Sequence, residues 1–128
     1  MTNDNDTFSG TWQFTYWYPS NKQPDTEEPS QYTGTFHKSD KQWVYQSEPN
    51  AEGAYMFVRM TLDNDLITGT WYENTSPSGE FEGSTYSGAF QALIDKAGTK
   101  VEGKWAGIGQ DNGIRKIYTG RLEFVRAG

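Results

Sequence analysis

Apolar and polar residues alternate along most of this chain. In Trp12-Gln13-Phe14-Thr15-Tyr16-Trp17-Tyr18, one face carries Trp12, Phe14, Tyr16 and Tyr18, and the other Gln13, Thr15 and Trp17. In Ala54 to Leu62, one face is Ala, Met, Val, Met and Leu, and the other Tyr, Phe, Arg and Thr. A period of two is the signature of strands. No window of a dozen residues shows the i, i+3, i+4, i+7 spacing of an amphipathic helix. Turn signals divide the alternation into eight runs. They predict strands near 9–18, 31–38, 41–47, 54–62, 66–73, 80–94 (bent at Gly83), 99–108 and 114–126. Asp63-Asn64-Asp65 and Asp95-Lys96-Ala97-Gly98 read as hairpin turns, the second with glycine in the left-handed conformation. Lys38-Ser39-Asp40 and Gln110-Asp111-Asn112-Gly113 read the same way, and Glu48 to Gly53 as a longer loop.

A glycine followed two residues later by a large apolar residue recurs at Gly10/Trp12, Gly34/Phe36, Gly69/Trp71, Gly88/Phe90, Gly103/Trp105 and Gly120/Leu122. Glycine weakens a strand interior unless a bend or a close backbone approach requires it. Repetition of the pair therefore predicts a strongly coiled sheet that closes on itself, which also removes exposed edge strands. The expected fold is all-β, an up-and-down antiparallel barrel of about eight strands, with a β-sandwich as the rival. Residues 1–128 make one domain, with a flexible N-terminus over 1–8. A mobile loop is expected over 19–29, where three of the five prolines fall.

Composition narrows the chemistry. The 128 residues include Trp 5, Tyr 8 and Phe 7, so rings supply much of the core. There is no cysteine, which excludes disulfides, thiol catalysis and cysteine-based metal sites. The net charge of −6 argues against direct, sequence-independent DNA binding. No apolar stretch reaches the ~18–20 residues of a membrane span. The polar, acidic start does not read as a signal peptide, and a cytoplasmic location is expected.

Candidate sites were weighed against plainer roles. His37 is the sole histidine, so a Ser-His-Asp triad or a histidine metal cluster has little to build on. The acidic residues Glu73, Glu80, Glu82, Glu102, Asp95 and Asp111 read mainly as a solvated face, although Glu80 and Glu82 alternate and could pair as acid and base. Asp63-Asn64-Asp65 lacks the rest of a calcium loop. Thr75-Ser76-Pro77-Ser78-Gly79 offers hydroxyls and backbone donors beside Trp71 and Tyr72, suited to a phosphate or polar ligand head. Arg59 shares a face with Tyr55 and Phe57, which suits a planar anion or simply covers outer rings. Trp17, Trp43, Tyr45, Tyr16 and Tyr55 either line a cavity, form a stacking platform or fill the core.

Two resemblances bear on these residues. Phe8-Ser9-Gly10-Thr11-Trp12, together with a last-strand arginine (Arg121 or Arg126), resembles the lipocalin and calycin pattern. It implies that the first-strand Trp12 packs under that arginine, with Arg121 the expected partner. Nearly the whole chain is similar to uncharacterised bacterial β-domains that follow helix-turn-helix regions in regulators. The similarity lies in the Thr68-Gly69-Thr70-Trp71 to Gly79 block, Tyr86 to Gln91, Val101 to Gly109, and Trp17-Tyr18-Pro19-Ser20. It implies a sensory setting and carries no known ligand.

The expected function is a non-catalytic, small-ligand-binding sensory barrel of a larger bacterial signalling, regulatory or defence protein. It is expected to be fused to an effector or DNA-binding module, and self-association is an option. The expected ligand is nucleotide-like. Its contacts would be Arg59, Trp71, Tyr72, Thr75, Ser76, Ser78, Lys104 and Arg121, with no metal or cofactor. The alternatives are a cyclic-nucleotide receptor domain of an anti-phage effector, a carbohydrate-binding module and a protein–protein interaction domain.

Overall fold

The computed structural model describes residues 7–19, 27–51, 53–74, 85–111 and 114–127. Eight strands follow the alternation closely: β1 Thr11–Pro19, β2 Glu27–Ser39, β3 Gln42–Ser47, β4 Tyr55–Asp63, β5 Leu66–Asn74, β6 Thr85–Ile94, β7 Lys100–Asp111 and β8 Ile114–Ala127. Each pairs antiparallel with the next, and β1 closes on β8 from Thr11↔Ala127 to Tyr16↔Leu122. The result is a closed up-and-down barrel, not a sandwich. Several strand limits differ from expectation, β2 the most. β2 begins at Glu27, because Trp17–Pro19 of β1 pair with Glu27–Pro29, so the expected loop keeps only 20–26. Residues 20–26, and 80–84 with the expected bend at Gly83, lie outside the described residues.

Even-numbered residues of β1 point inward with Tyr32, Phe36, Trp71, Phe90, Trp105, Leu122 and Phe124. The glycines of the recurring pairs lie opposite large inward residues on neighbouring strands: Trp12↔Gly34, Phe90↔Gly69, Trp71↔Gly88, Leu122↔Gly103 and Trp105↔Gly120. The close approach is explicit at Gly88. A Cβ there would stand 2.8 Å from Cε2 of Trp71 and 2.8 Å from the Gly107 Cα, and would run into the Ala106 carbonyl. Pairing small with large residues lets rings lie flat inside a narrow barrel.

The barrel has two unlike ends. The tight turns at 40–41, 64–65 and 95–99 gather at one end with the first residues of β1 and the last of β8. Asp40 and Asn64 take the left-handed conformation there, as does Gly98 (φ 71°), as the turn signals require. The Asp95 carboxylate accepts hydrogen bonds from the Thr99 N–H (2.8 Å) and hydroxyl (2.9 Å) and from the Lys100 N–H (3.2 Å), which hold it below the usual carboxylate range. This turn end is plugged by rings. Phe8 packs at 5.7 Å from Trp12, 4.9 Å from Phe36 and 5.1 Å from Trp43, so the stretch expected to be flexible ends in a fully buried side chain.

The arginine over Trp12 is Arg126, not Arg121. Its guanidinium carbon lies 4.5 Å from the Trp12 ring centroid, and Trp12 and Arg126 are direct cross-strand partners. Arg126 donates to the carbonyls of Ser9, Thr7 (2.7 Å) and Gly98 (3.0 Å), tying three chain segments over the plug. Arg121 is an odd-numbered residue of β8 and points outward, where it stacks 3.9 Å from the Trp17 ring and pairs with Glu27 at 3.4 Å.

Candidate functional site in the loop half of the barrel

The other end is formed by the last residues of β1, β3, β5 and β7 and the first residues of β2, β4, β6 and β8. Beneath them the inward face turns polar. On β5 the alternation that buries Ile67 and Trp71 carries on to Glu73, which is only 5% exposed. Its two oxygens accept hydrogen bonds from two phenols. Tyr16 donates to Oε1 at 2.7 Å, and Tyr32 donates to Oε2. No ion pair among the described residues includes Glu73. Burial pushes the Glu73 carboxyl above its ordinary range, and the two phenol hydrogen bonds oppose that shift. Burial, followed by the neighbouring Glu73, pushes the Tyr16 hydroxyl well above the usual phenol range.

Tyr16, which holds this carboxyl, belongs to a cluster of three rings. Trp71 lies nearly parallel to Tyr16 (6.1 Å, 25°). Trp105 meets both edge-on, at 5.8 Å and 88° from Tyr16 and at 5.6 Å and 86° from Trp71. The indole N–H groups differ. Trp12 donates to the Ser9 carbonyl at 3.2 Å and Trp105 to the Trp17 carbonyl at 3.0 Å. Trp71 is 7% exposed, and its buried Nε1 has no acceptor among the described residues. An unpaired buried donor costs about 1–3 kcal/mol, so a native fold rarely keeps one without a use. Tyr18, Tyr86 and Tyr118, all partly buried, continue the aromatic lining toward the loop end.

The residues expected to bind ligand do not meet in one place. Trp71 faces the interior. Tyr72, next to it, points outward opposite Phe57, and Arg59 is also on the outer face, opposite Thr70 and 5.9 Å from the Phe57 ring. Lys104 and Arg121 are cross-strand partners on the outside of β7 and β8. They border a shallow depression of about 290 Å³ shared with Trp17, Glu102 and Glu123. Its charges largely balance. Thr75, Ser76 and Ser78 lie outside the described residues, as do Glu80 and Glu82. Among the other aromatics, Trp43 and Tyr45 fill the core, while Trp17 and Tyr55 stand partly exposed outside. His37 is exposed.

Sequence reasoning named Glu73 but placed it on a solvated face. Its parity with Ile67, Gly69 and Trp71 was the available signal. Nothing in the sequence assigned its two phenol partners, which are 57 and 41 residues away along the chain.

The raised Glu73 carboxyl has a testable consequence. Between the ordinary glutamate range and its raised value, the folded protein holds a proton that the unfolded chain releases. Stability from this group therefore falls as pH rises through that window and is level above it. Glu73→Gln should remove the fall. Chemical denaturation from about pH 4 to about pH 8 should show the variant gaining on the wild type with rising pH. A difference independent of pH would refute the placement.

Fold and site together define a closed eight-stranded antiparallel barrel with one plugged end and one end lined by rings around a buried acid. Comparison with known proteins finds no matching family model and no matching curated protein. Among the described residues, no helix is long and apolar enough to cross a membrane.

Proposed function

We propose that this chain is a non-catalytic barrel that binds a small ligand at its loop end and serves as the sensory part of a larger bacterial signalling, regulatory or defence protein. The observation that carries the reading is the buried, unpartnered Trp71 N–H beside the Glu73–Tyr16–Tyr32 cluster. A donor, a carboxyl and stacked rings in the interior are the few convergent polar groups in an apolar setting that a ligand site requires. The plugged turn end leaves the loop end as the side of access. Binding there would reorder a loop or promote self-association, and so switch an attached module. The sequence similarity to bacterial regulator domains and to lipocalin-like barrels supports the sensory setting, and a cytoplasmic location accords with it.

The test is thermal shift and calorimetry on the purified chain, with small-molecule extracts of the native source followed by defined nucleotides, glycans and amines. A ligand at 100 times its dissociation constant should stabilise the protein by about 2.7 kcal/mol. Trp71→Phe, which keeps a ring and removes the N–H, should reduce that shift. Mass spectrometry of the recovered ligand should show it unchanged, and turnover would replace the binding reading with acid–base catalysis at Glu73. Nucleotide binding that depends on Arg121 and Lys104 would instead move the site to the outer depression. Binding of glycans alone would favour the carbohydrate module.

A further inference from the structure

We infer that the ligand is an organic cation: a protonated or alkylated nitrogen base whose positive group is received by Glu73 among the rings of Tyr16, Trp71 and Trp105, and which presents an acceptor atom to the Trp71 N–H. This deepens the binding reading above and rests on it.

The first support is the set of partners around Glu73. Both its oxygens are held by neutral phenols, and it has no ion-pair partner. A buried carboxyl held in this way is oriented without an opposite charge beside it among the described residues. The phenols fix its orientation, and each oxygen keeps a lone pair for a further donor.

The second support is aromatic. Tyr16 links the acid to the rings, since its hydroxyl holds Glu73 while its ring stacks on Trp71. Rings present negative faces, and walls of rings with a carboxylate are the arrangement that receives ammonium groups. The Trp71 N–H provides a point of recognition of opposite sign. Trp71 and Glu73 are two residues apart on one strand face, their Cα atoms about 7 Å apart, so one ligand can meet both side chains.

The third support is the balance of charge. Glu28, partly buried on β2, lies on the loop side but has an interaction of its own. Lys116 shares the parity of Tyr118 on β8, but it is exposed and has an interaction of its own. Arg59, Lys104 and Arg121 are outside. With a net charge of −6, the chain attracts cations and repels an anionic head at this site.

The test is ligand-observed NMR with the whole chain and a charge-balanced set of probes: amines, alcohols and carboxylates built on the same phenyl, indole and quinoline cores. Amines should bind about tenfold more tightly than the matching alcohols, a difference of about 1.4 kcal/mol, and carboxylates should not bind. Glu73→Gln should abolish the preference for amines while the alcohols still bind. Trp71→Phe should weaken both. Glu102→Gln, which removes an exposed acid of the outer wall, should change nothing. In a ¹³C-detected pH titration of the wild type, a bound amine should shift the midpoint of the Glu73 carboxyl downward.

Equal binding of amines and alcohols, an amine preference that survives Glu73→Gln, or an unmoved Glu73 midpoint would overturn the cation assignment and leave the binding barrel standing. No binding by any charge class on any core would overturn both.

Discussion

Trp12→Ala should cost the protein about 3–5 kcal/mol, the range for truncating a large buried aromatic. Trp12 is fully buried. It contacts Phe8 at 5.7 Å and Phe36 at 5.9 Å, donates to Ser9, and carries Arg126 on its face. Its own carbonyl accepts the Tyr45 hydroxyl at 3.0 Å, so the residue ties the plug to the strand beside it. Removing the indole leaves a cavity that strands held in a closed ladder cannot collapse to fill. Arg126→Ala should also destabilise, by less, because it releases the carbonyls of Thr7, Ser9 and Gly98 together. Arg121→Ala should stay within about 0.5 kcal/mol, as a surface substitution does. Urea midpoints at constant m-value would check all three. A larger loss for Arg121 than for Arg126 would show that the assignment of the arginine over Trp12 is wrong.

Gly88→Val should cost about 3 kcal/mol, the upper part of the usual range for overpacking. The Cβ alone meets Trp71 and the Gly107 backbone at 2.8 Å, and neither can give way. Gly107 is itself covered by Trp71, whose Cη2 would lie 2.9 Å from a Cβ built there. Moving the Trp71 ring would disturb its stacking on Tyr16 and, through it, the Glu73 cluster. The variant should therefore lose ligand binding as well as stability. Ala89→Val, one residue along and exposed on the outer face, is the control. It should be neutral, since a β-branched residue suits an outward strand position. Equal losses for the two variants would mean that the glycine acts through strand propensity and not through the space it leaves.

Much of the architecture was legible because its determinants are local. Alternation places strands and their inner faces, and Asp40, Asn64 and Gly98 occupy turns whose dihedral angles select such residues. The recurring glycine–apolar pairs pointed to closure without showing its reason. The reason is cross-strand: Trp12, Trp71, Phe90 and Trp105 each face a glycine of a neighbouring strand, and the register that pairs Trp71 with Gly88 is not written in either segment alone.

The functional half divides along the same line. Alternation by itself put Trp71 inside and Tyr72 outside, which already separates two residues expected to share a ligand. It likewise puts Arg121 outside with Lys104, although both Arg121 and Arg126 satisfied the composition of the barrel-closing pattern. The same parity puts Arg126 on the inner side with Leu122 and Phe124, and the β1–β8 register then sets it opposite Trp12.

The sequence on its own determined an all-β chain of eight alternating runs, an acidic surface and an interior rich in rings, because these follow from residue type and the two-residue period of a strand. Only the tertiary structure decided that Tyr16, Tyr32 and Glu73 meet, that the Trp71 N–H is left without an acceptor, and that Arg126 covers Trp12. Those facts depend on which residues of distant strands face one another across a closed barrel, and a shift of one residue in any register would turn each of them to the opposite face.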